Sequence, residues 1–147
     1  VVTAFYADTS AVVGAYLTDE PDHAELRNLL IDGGHRVLTS ELTRLELASA
    51  MTAAKRNGRI PDAREFLAQF DEDSRQVFGV IPLAPRRIFA AARRLVTDNY
   101  PVRTLDAIHI AVAMHDTAEL TGGEPVTFVT RDQRQAEAAK ANGFEVL

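Results

Sequence analysis

The chain of 147 residues contains no cysteine. That excludes a disulfide framework and a thiolate metal site, and it suits a reducing compartment, so a cytoplasmic location is expected. No apolar run reaches the length of a membrane helix, and no signal-peptide pattern is present. No membrane association is therefore expected. Internal repeats, low-complexity tracts and long linkers are also missing. Lysine is scarce: the 16 basic residues are fourteen Arg and two Lys. Arginine suits bidentate phosphate contacts. A GC-rich genome would give the same bias, and both explanations stay open. The first residue is valine, and the natural start is expected slightly upstream.

What is present fits one domain over residues 1–147, with apolar residues at 46% and charged residues at 25%. The net charge of −5 argues against a basic nucleic-acid coat. It does not exclude a nucleic-acid enzyme, because a carboxylate cluster is acidic until metal fills it. Strand and helix alternate. Residues 3–8 read as a strand, Ser10–Leu17 as a helix, and Asp22–Ile31 as a second helix closed by Gly33-Gly34. Val37–Thr39 is a strand. Ser40 is the expected N-cap of a long helix to Arg56, which Asn57-Gly58 ends. Pro61 opens a helix to Asp73, and Val77–Ile81 is a strand. Pro85 opens a helix to Asp98. Asn99-Tyr100-Pro101 is a break.

Thr104–Thr117 is apolar nearly all round and predicts a buried helix. Gly122–Pro125 is a turn, Thr127–Thr130 a strand, Asp132–Asn142 a helix and Phe144–Leu147 a last short strand. Short apolar strands separated by helices predict an α/β fold with a mainly parallel sheet.

Four acids stand where an acid is awkward: Asp8, Glu46, Asp106 and Asp132. A carboxylate among apolar neighbours is costly unless it is paired, hydrogen-bonded or metal-bound. Asp8 and Asp132 fall at carboxyl ends of strands, the edge where open parallel sheets bind ligands. Asp106 falls in the first turn of the buried helix. Glu46 shares a stripe with Leu42, Ala50 and Ala53, which faces the protein or a cleft. Taken singly, Asp106 and Asp132 are explained as helix-end acids, while Asp8 is balanced between capping the following helix and function. Together they predict a hard-cation site, Mg²⁺ or Mn²⁺, suited to phosphodiester chemistry.

The motifs around these acids carry a resemblance. Tyr6-Ala7-Asp8-Thr9-Ser10-Ala11-Val12-Val13 resembles the opening motif of PIN domains. Thr39-Ser40-Glu41-Leu42-Thr43-Arg44-Leu45-Glu46-Leu47 resembles their second motif. Arg103-Thr104-Leu105-Asp106-Ala107-Ile108-His109-Ile110-Ala111 resembles the third motif of VapC-type toxins, the ribonuclease halves of bacterial toxin–antitoxin pairs. Thr130-Arg131-Asp132, with Ala136, Ala139 and Gly143, resembles the final motif. The resemblance runs along essentially the whole chain.

It implies a three-layer α/β/α fold with a five-stranded sheet, and a Mg²⁺- or Mn²⁺-dependent endoribonuclease that cleaves RNA through metal-activated water. Asp8, Glu46, Asp106 and Asp132 carry over as catalytic and metal-binding residues, with Asp132 the most variable. Ser10 and Thr130 carry over as supporting hydroxyls. A homodimer and a cognate VapB-type antitoxin, whose tail covers the groove, are implied as partners. Two rival readings stand beside it: a PIN-like RNA- or protein-binding module without cleavage, and a phosphatase with Asp8 as nucleophile.

Among other residues, His109 shares a helix face with Asp106 and is expected to be buried and bonded to backbone. His23, His35 and His115 are expected at the surface or at helix ends. Arg44, Arg103 and Arg131 are candidates for RNA phosphates or for salt bridges. Asp71-Glu72-Asp73 reads as a solvated helix end. Leu26, Leu29, Leu30, Ile31, Phe66, Leu67 and Phe70 belong to the core or to a partner surface.

Overall fold

Four short parallel strands form the centre: β1 (Ala4–Ala7), β2 (Arg36–Ser40), β3 (Phe78–Ile81) and β4 (Thr127–Val129), in the order β3-β2-β1-β4. The structure is a computed structural model that describes residues 3–98 and 101–147. Asn99 and Tyr100 of the expected break lie outside the described residues. Between the strands run α1 (Thr9–Tyr16), α2 (His23–Arg27), α3 (Leu42–Arg56), α4 (Ala63–Gln76), α5 (Pro85–Thr97), α6 (Thr104–His115), α7 (Ala118–Thr121) and α8 (Gln133–Ala141).

The period-two alternation of each strand separates two cores. Ala4, Tyr6, Leu38, Ile81 and Phe128 face a core shared with α5, α6 and α8. Phe5, Ala7, Val37, Phe78 and Val129 face the core of α1 to α4. The sheet is thus covered on both faces, which explains why its strands read as continuous apolar runs. α6 is buried from Ala107 through Ala113, as its all-round apolar sequence predicts. On the other face, Gly14 of α1 admits Leu26 so closely that a Cβ there would lie 2.3 Å from Leu26 Cδ1. Leu26, Leu30 and Phe70 are buried in this core, and Leu29, Ile31, Phe66 and Leu67 pack partly buried against it.

Several boundaries differ from the sequence reading, each for a local reason. Among the described residues the sheet has four strands, not five. The terminal segment pairs with β4 through a single parallel bridge, Val146 to Phe128, carried by backbone bonds from Phe128 N–H to Glu145 O and from Leu147 N–H to Phe128 O, with Thr130 N–H bonded to Leu147 O beyond it. Phe144 N–H is still bonded to Ala139 O of α8, so only the residues beyond it reach β4. Ser40 is the last residue of β2 rather than an N-cap; Glu41 already has helical dihedrals, with φ −60° and ψ −18°. The Ser40 hydroxyl nevertheless accepts from Leu42 N–H at 3.1 Å.

α4 starts after Asp62, not at Pro61, because the extended Asp62 caps Arg64 N–H at 3.0 Å. The second expected helix changes character, passing from α2 into a π-type turn at Asn28–Asp32. α7 was not expected; it is one turn, ended by the left-handed Gly122. The acids of 71–73 lie in the last turns of α4, with Asp71 and Glu72 exposed as expected and Asp73 partly buried. Asp71 pairs with Arg44 at 2.7 Å, and Asp73 accepts from the Tyr16 hydroxyl at 2.5 Å.

The strand order reverses at β1, whose neighbours are β2 on one side and β4 on the other. Ligand sites of open parallel sheets form at the carboxyl ends of strands flanking such a reversal. Asp8 follows β1 there, and Thr130–Asp132 follow β4.

Candidate functional site

Asp8 is the most buried of the four acids, 3% exposed. It is the N-cap of α1. Its Oδ1 accepts from Ser10 Oγ at 2.7 Å and Ala11 N–H at 3.1 Å, and its Oδ2 accepts from Thr130 Oγ1 at 2.6 Å. Hydrogen bonds to a charged group are worth about 1.5–3 kcal/mol each, and this set offsets much of the burial cost. Burial pushes the Asp8 carboxyl up from its ordinary value, against the lowering effects of His109, Thr130, Ser10 and Ala11.

Ser10 and Thr130 thus each hydrogen-bond the Asp8 carboxyl. They also tie β1 to β4. Ser10 Oγ lies 3.2 Å from Thr130 Oγ1 and accepts from Arg131 N–H at 2.8 Å.

Glu46 projects from α3 onto a different set. Its Oε1 accepts from Thr9 Oγ1 at 2.8 Å and meets His109 Nε2 at 2.6 Å. A carboxylate only accepts, so Nε2 carries a proton here. His109 Nδ1 pairs with the Tyr6 hydroxyl at 2.8 Å. Burial raises the Tyr6 phenol well above its ordinary range, with the charges of Asp8 and Glu46 adding to it. Burial also pushes Glu46 up, but His109, Thr9 and the charge of Arg103 outweigh it and hold the carboxyl low. His109 is buried as expected, yet its partners are side chains, not backbone.

Asp106 and Asp132 share one cation. Arg103 Nε donates to Asp106 Oδ2 at 2.9 Å, and Arg103 Nη2 donates to Asp132 Oδ2 at 2.6 Å. Asp132 is also the N-cap of α8, with Oδ1 accepting from Arg134 and Gln135 N–H at 2.9 and 3.1 Å. The buried Gln135 side chain donates in turn to the Asp106 carbonyl at 3.1 Å, fixing α8 against α6.

Thr9, Tyr6, Arg103 and Gln135 thus belong to the site, though only Arg103 had been singled out in sequence. Thr9 had a signal, a second hydroxyl beside Asp8. Tyr6 and Gln135 had none, since their partners lie far away in the chain. Arg131 pairs with Asp22 at 2.8 Å, and Arg44 with Asp71.

His109 holds Glu46, Arg103 holds Asp106 and Asp132, and the Thr130 hydroxyl joins Asp8 to the Asp132 N–H. Among the described residues, no group of three or more acidic or imidazole side chains is close enough as placed to hold a metal ion. The donor chemistry nevertheless fits a hard divalent cation: carboxylate oxygens and hydroxyls, no sulfur. Glu46 and its stripe of Leu42, Ala50 and Ala53 line an open groove with Thr9, Ser10, Leu45, Leu105 and Arg131. Its volume is about 1100 Å³.

The PIN domain family model matches residues 5–141. The chain belongs to the PIN domain family. Ribonuclease VapC47 of Mycobacterium tuberculosis (strain CDC 1551 / Oshkosh) is a relative, 32% identical over 142 residues, covering 95% of this PIN-domain chain and 92% of that protein. Among solved structures, the fold is similar to Mycobacterium tuberculosis VapC20, a sarcin-ricin loop cleaving toxin. That match has a TM-score of 0.65 and 20% identity and covers 95% of each chain. It is also similar to VapBC2 from Rickettsia felis, solved with a DNA fragment from its promoter, with a TM-score of 0.62 and 14% identity over 99% of this chain and 98% of that one. No described helix is long and apolar enough to cross a membrane.

Proposed function

We propose that this PIN domain, taken as one unit over residues 1–147, is a metal-dependent endoribonuclease toxin of the VapC type. Asp8, Glu46, Asp106 and Asp132 are its acidic site. The observation that carries the reading is the gathering of the four acids at the strand-order reversal: Glu46 on His109, Asp106 and Asp132 on Arg103, and Asp8 on Thr130, whose hydroxyl also takes the Asp132 N–H. The relative named as a ribonuclease supports the substrate class.

Mg²⁺ or Mn²⁺, when bound, supplies the positive charge and the activated water that phosphodiester hydrolysis needs. Asp8, Glu46 and Asp106 would hold it, with Asp132 assisting. The chain's own part is positioning. Ser10, Thr130 and the Ala11 N–H fix both oxygens of Asp8. Thr9 and His109 aim Glu46, with Tyr6 behind the imidazole. The groove beside α3 takes the RNA strand, and a cognate VapB-type antitoxin would inhibit by occupying the same groove. A homodimer acting in the cytoplasm completes the reading.

A phosphoaspartate at Asp8 is disfavoured, because both of its oxygens are engaged and the carboxylate is buried. A non-cleaving binding module would not need four acids organised this closely. The deciding experiment is RNA cleavage by wild type and Asp8→Asn, with Mg²⁺ and with excess chelator. Cleavage only by wild type with metal is expected. Undiminished cleavage by the variant, or in chelator, would overturn the reading.

A further inference from the structure

Arg103 binds the carboxylates that the proposed function needs for metal. Its Nε and Nη2 donate to Asp106 and Asp132 from a single guanidinium, at 2.9 and 2.6 Å. Two carboxylates that share one guanidinium lie side by side. Like charges at such range repel by roughly 1 kcal/mol in water at 4 Å and more where water is scarce, so a cation between them is stabilising. The Arg103 side chain is itself 60% exposed, against 16% for Asp106 and 28% for Asp132. The anions are fixed by the fold: Asp132 by capping α8, and Asp106 by α6 and its tie to Gln135. The cation hangs on a long side chain free to swing toward solvent.

We infer that Arg103 is a displaceable internal counter-ion, which holds Asp106 and Asp132 together without metal and is exchanged for a divalent cation on loading, leaving its guanidinium for an RNA phosphate at the rim of the groove. This rests on the metal-dependent reading above. A divalent cation and the guanidinium compete for the same Oδ2 atoms, so loading breaks two ion pairs. Once released, two residues from the groove-lining Leu105, the planar guanidinium matches phosphate oxygens better than an ammonium does. Arg103 would thus act twice: as a stand-in cation before loading and as a phosphate clamp after it.

The test uses Arg103→Gln and Arg103→Lys in the full chain, with MnCl₂ as the probe in isothermal titration calorimetry. Because Arg103 is exposed, the variants should fold, which melting curves would verify. Arg103→Gln should bind Mn²⁺ roughly 2- to 30-fold more tightly than wild type, the range spanned by two exposed ion pairs. Arg103→Lys should fall between the two. At saturating Mn²⁺, RNA cleavage by Arg103→Gln should show a raised KM with little change in kcat.

Tighter Mn²⁺ binding with raised KM supports the exchange. Unchanged or weaker Mn²⁺ binding overturns it while leaving the metal reading intact. Tighter binding with unchanged KM overturns the phosphate role. Absence of Mn²⁺ binding in wild type and both variants overturns the exchange and the metal reading together.

Discussion

The four acids divide into two pairs held in opposite ways. Asp8 and Glu46 are braced by hydroxyls, a backbone amide and an imidazole, all on elements packed into the fold. Asp106 and Asp132 are braced together by one exposed guanidinium. The first arrangement costs conformational freedom once, on folding, and stays put. The second is an ion pair at the protein surface, weak and exchangeable. A cation site with one rigid side and one yielding side can be assembled without metal and still open to admit it. The position of β1 makes this division possible, since the helix after β1 and the loop after β4 meet at the strand-order reversal.

Removing a member of the rigid pair is expected to do the most damage. Asp8→Asn should lower RNA cleavage by more than about 100-fold, beyond the 10–100-fold typical of losing a group that only supports a metal ligand. The same substitution should raise the melting temperature at neutral pH. The sign follows from burial, which lifts the folded carboxyl above its unfolded value. Ionising it therefore weakens the fold as pH rises through that interval. The variant's advantage should grow as pH rises through the titration of the folded carboxyl and vanish below about pH 4, where the unfolded carboxyl is also protonated. A melting temperature that falls at pH 7, or one whose difference ignores pH, would show that the hydrogen bonds outweigh the burial.

His109 comes next. It touches Glu46 rather than substrate, so it is a positioning residue. His109→Phe keeps an aromatic ring and removes the donor, and cleavage should drop about 10–100-fold. His109→Gln can still donate to Glu46 and should recover a good part of that loss. Equal losses in both variants would mean that packing, not the bond to Glu46, is what His109 supplies.

Thr130 joins the two pairs. Its hydroxyl donates to Asp8 Oδ2 and accepts from Asp132 N–H at 3.1 Å. Thr130→Val should destabilise the fold by about 1.5–3 kcal/mol, read from urea unfolding, because it strips a buried carboxylate of a donor. A change under about 0.5 kcal/mol would place the tie elsewhere, with Ser10 the obvious substitute.

Much of this was legible in sequence because it is local. The acids stand out against apolar runs, and their strand-end or helix-end positions follow from hydrophobic periodicity. Ser10 lies two residues from Asp8, and Thr130 two residues from Asp132, close enough in chain for motifs to carry them. The partnership of Tyr6 with His109 spans 103 residues and has no local trace. His109 could be marked as buried, but its bond to Glu46 needs α3 and α6 to converge on β1, a tertiary fact.

The missing fifth strand failed differently. Phe144–Leu147 has the composition of a strand, but the end of α8 claims Phe144 N–H, and a bridge is what remains. Asp71 and Glu72 are exposed, as expected, but the bonds of Asp71 to Arg44 and of Asp73 to Tyr16 left no local trace, because neither partner is near them in chain.

The smallest expected effect is the sharpest control on the comparison. Arg44 Nη1 meets Asp71 Oδ1 at 2.7 Å, a contact as close as those of Arg103, between side chains 45% and 56% exposed. Its guanidinium also stands 5.8 Å from the Phe70 ring centre. Arg44→Gln should cost only about 0.2–1 kcal/mol of stability, typical of an exposed pair. It should leave Mn²⁺ affinity unchanged, because Asp71 lies on α4 and takes no part in the network at the strand ends. The two arginines form exposed ion pairs of similar length, so a difference in their effect on metal binding points to which carboxylates they hold. If Arg44→Gln tightened Mn²⁺ binding as much as Arg103→Gln, the gain would reflect overall negative charge, and the distinction between a rigid and a yielding side of the site would collapse.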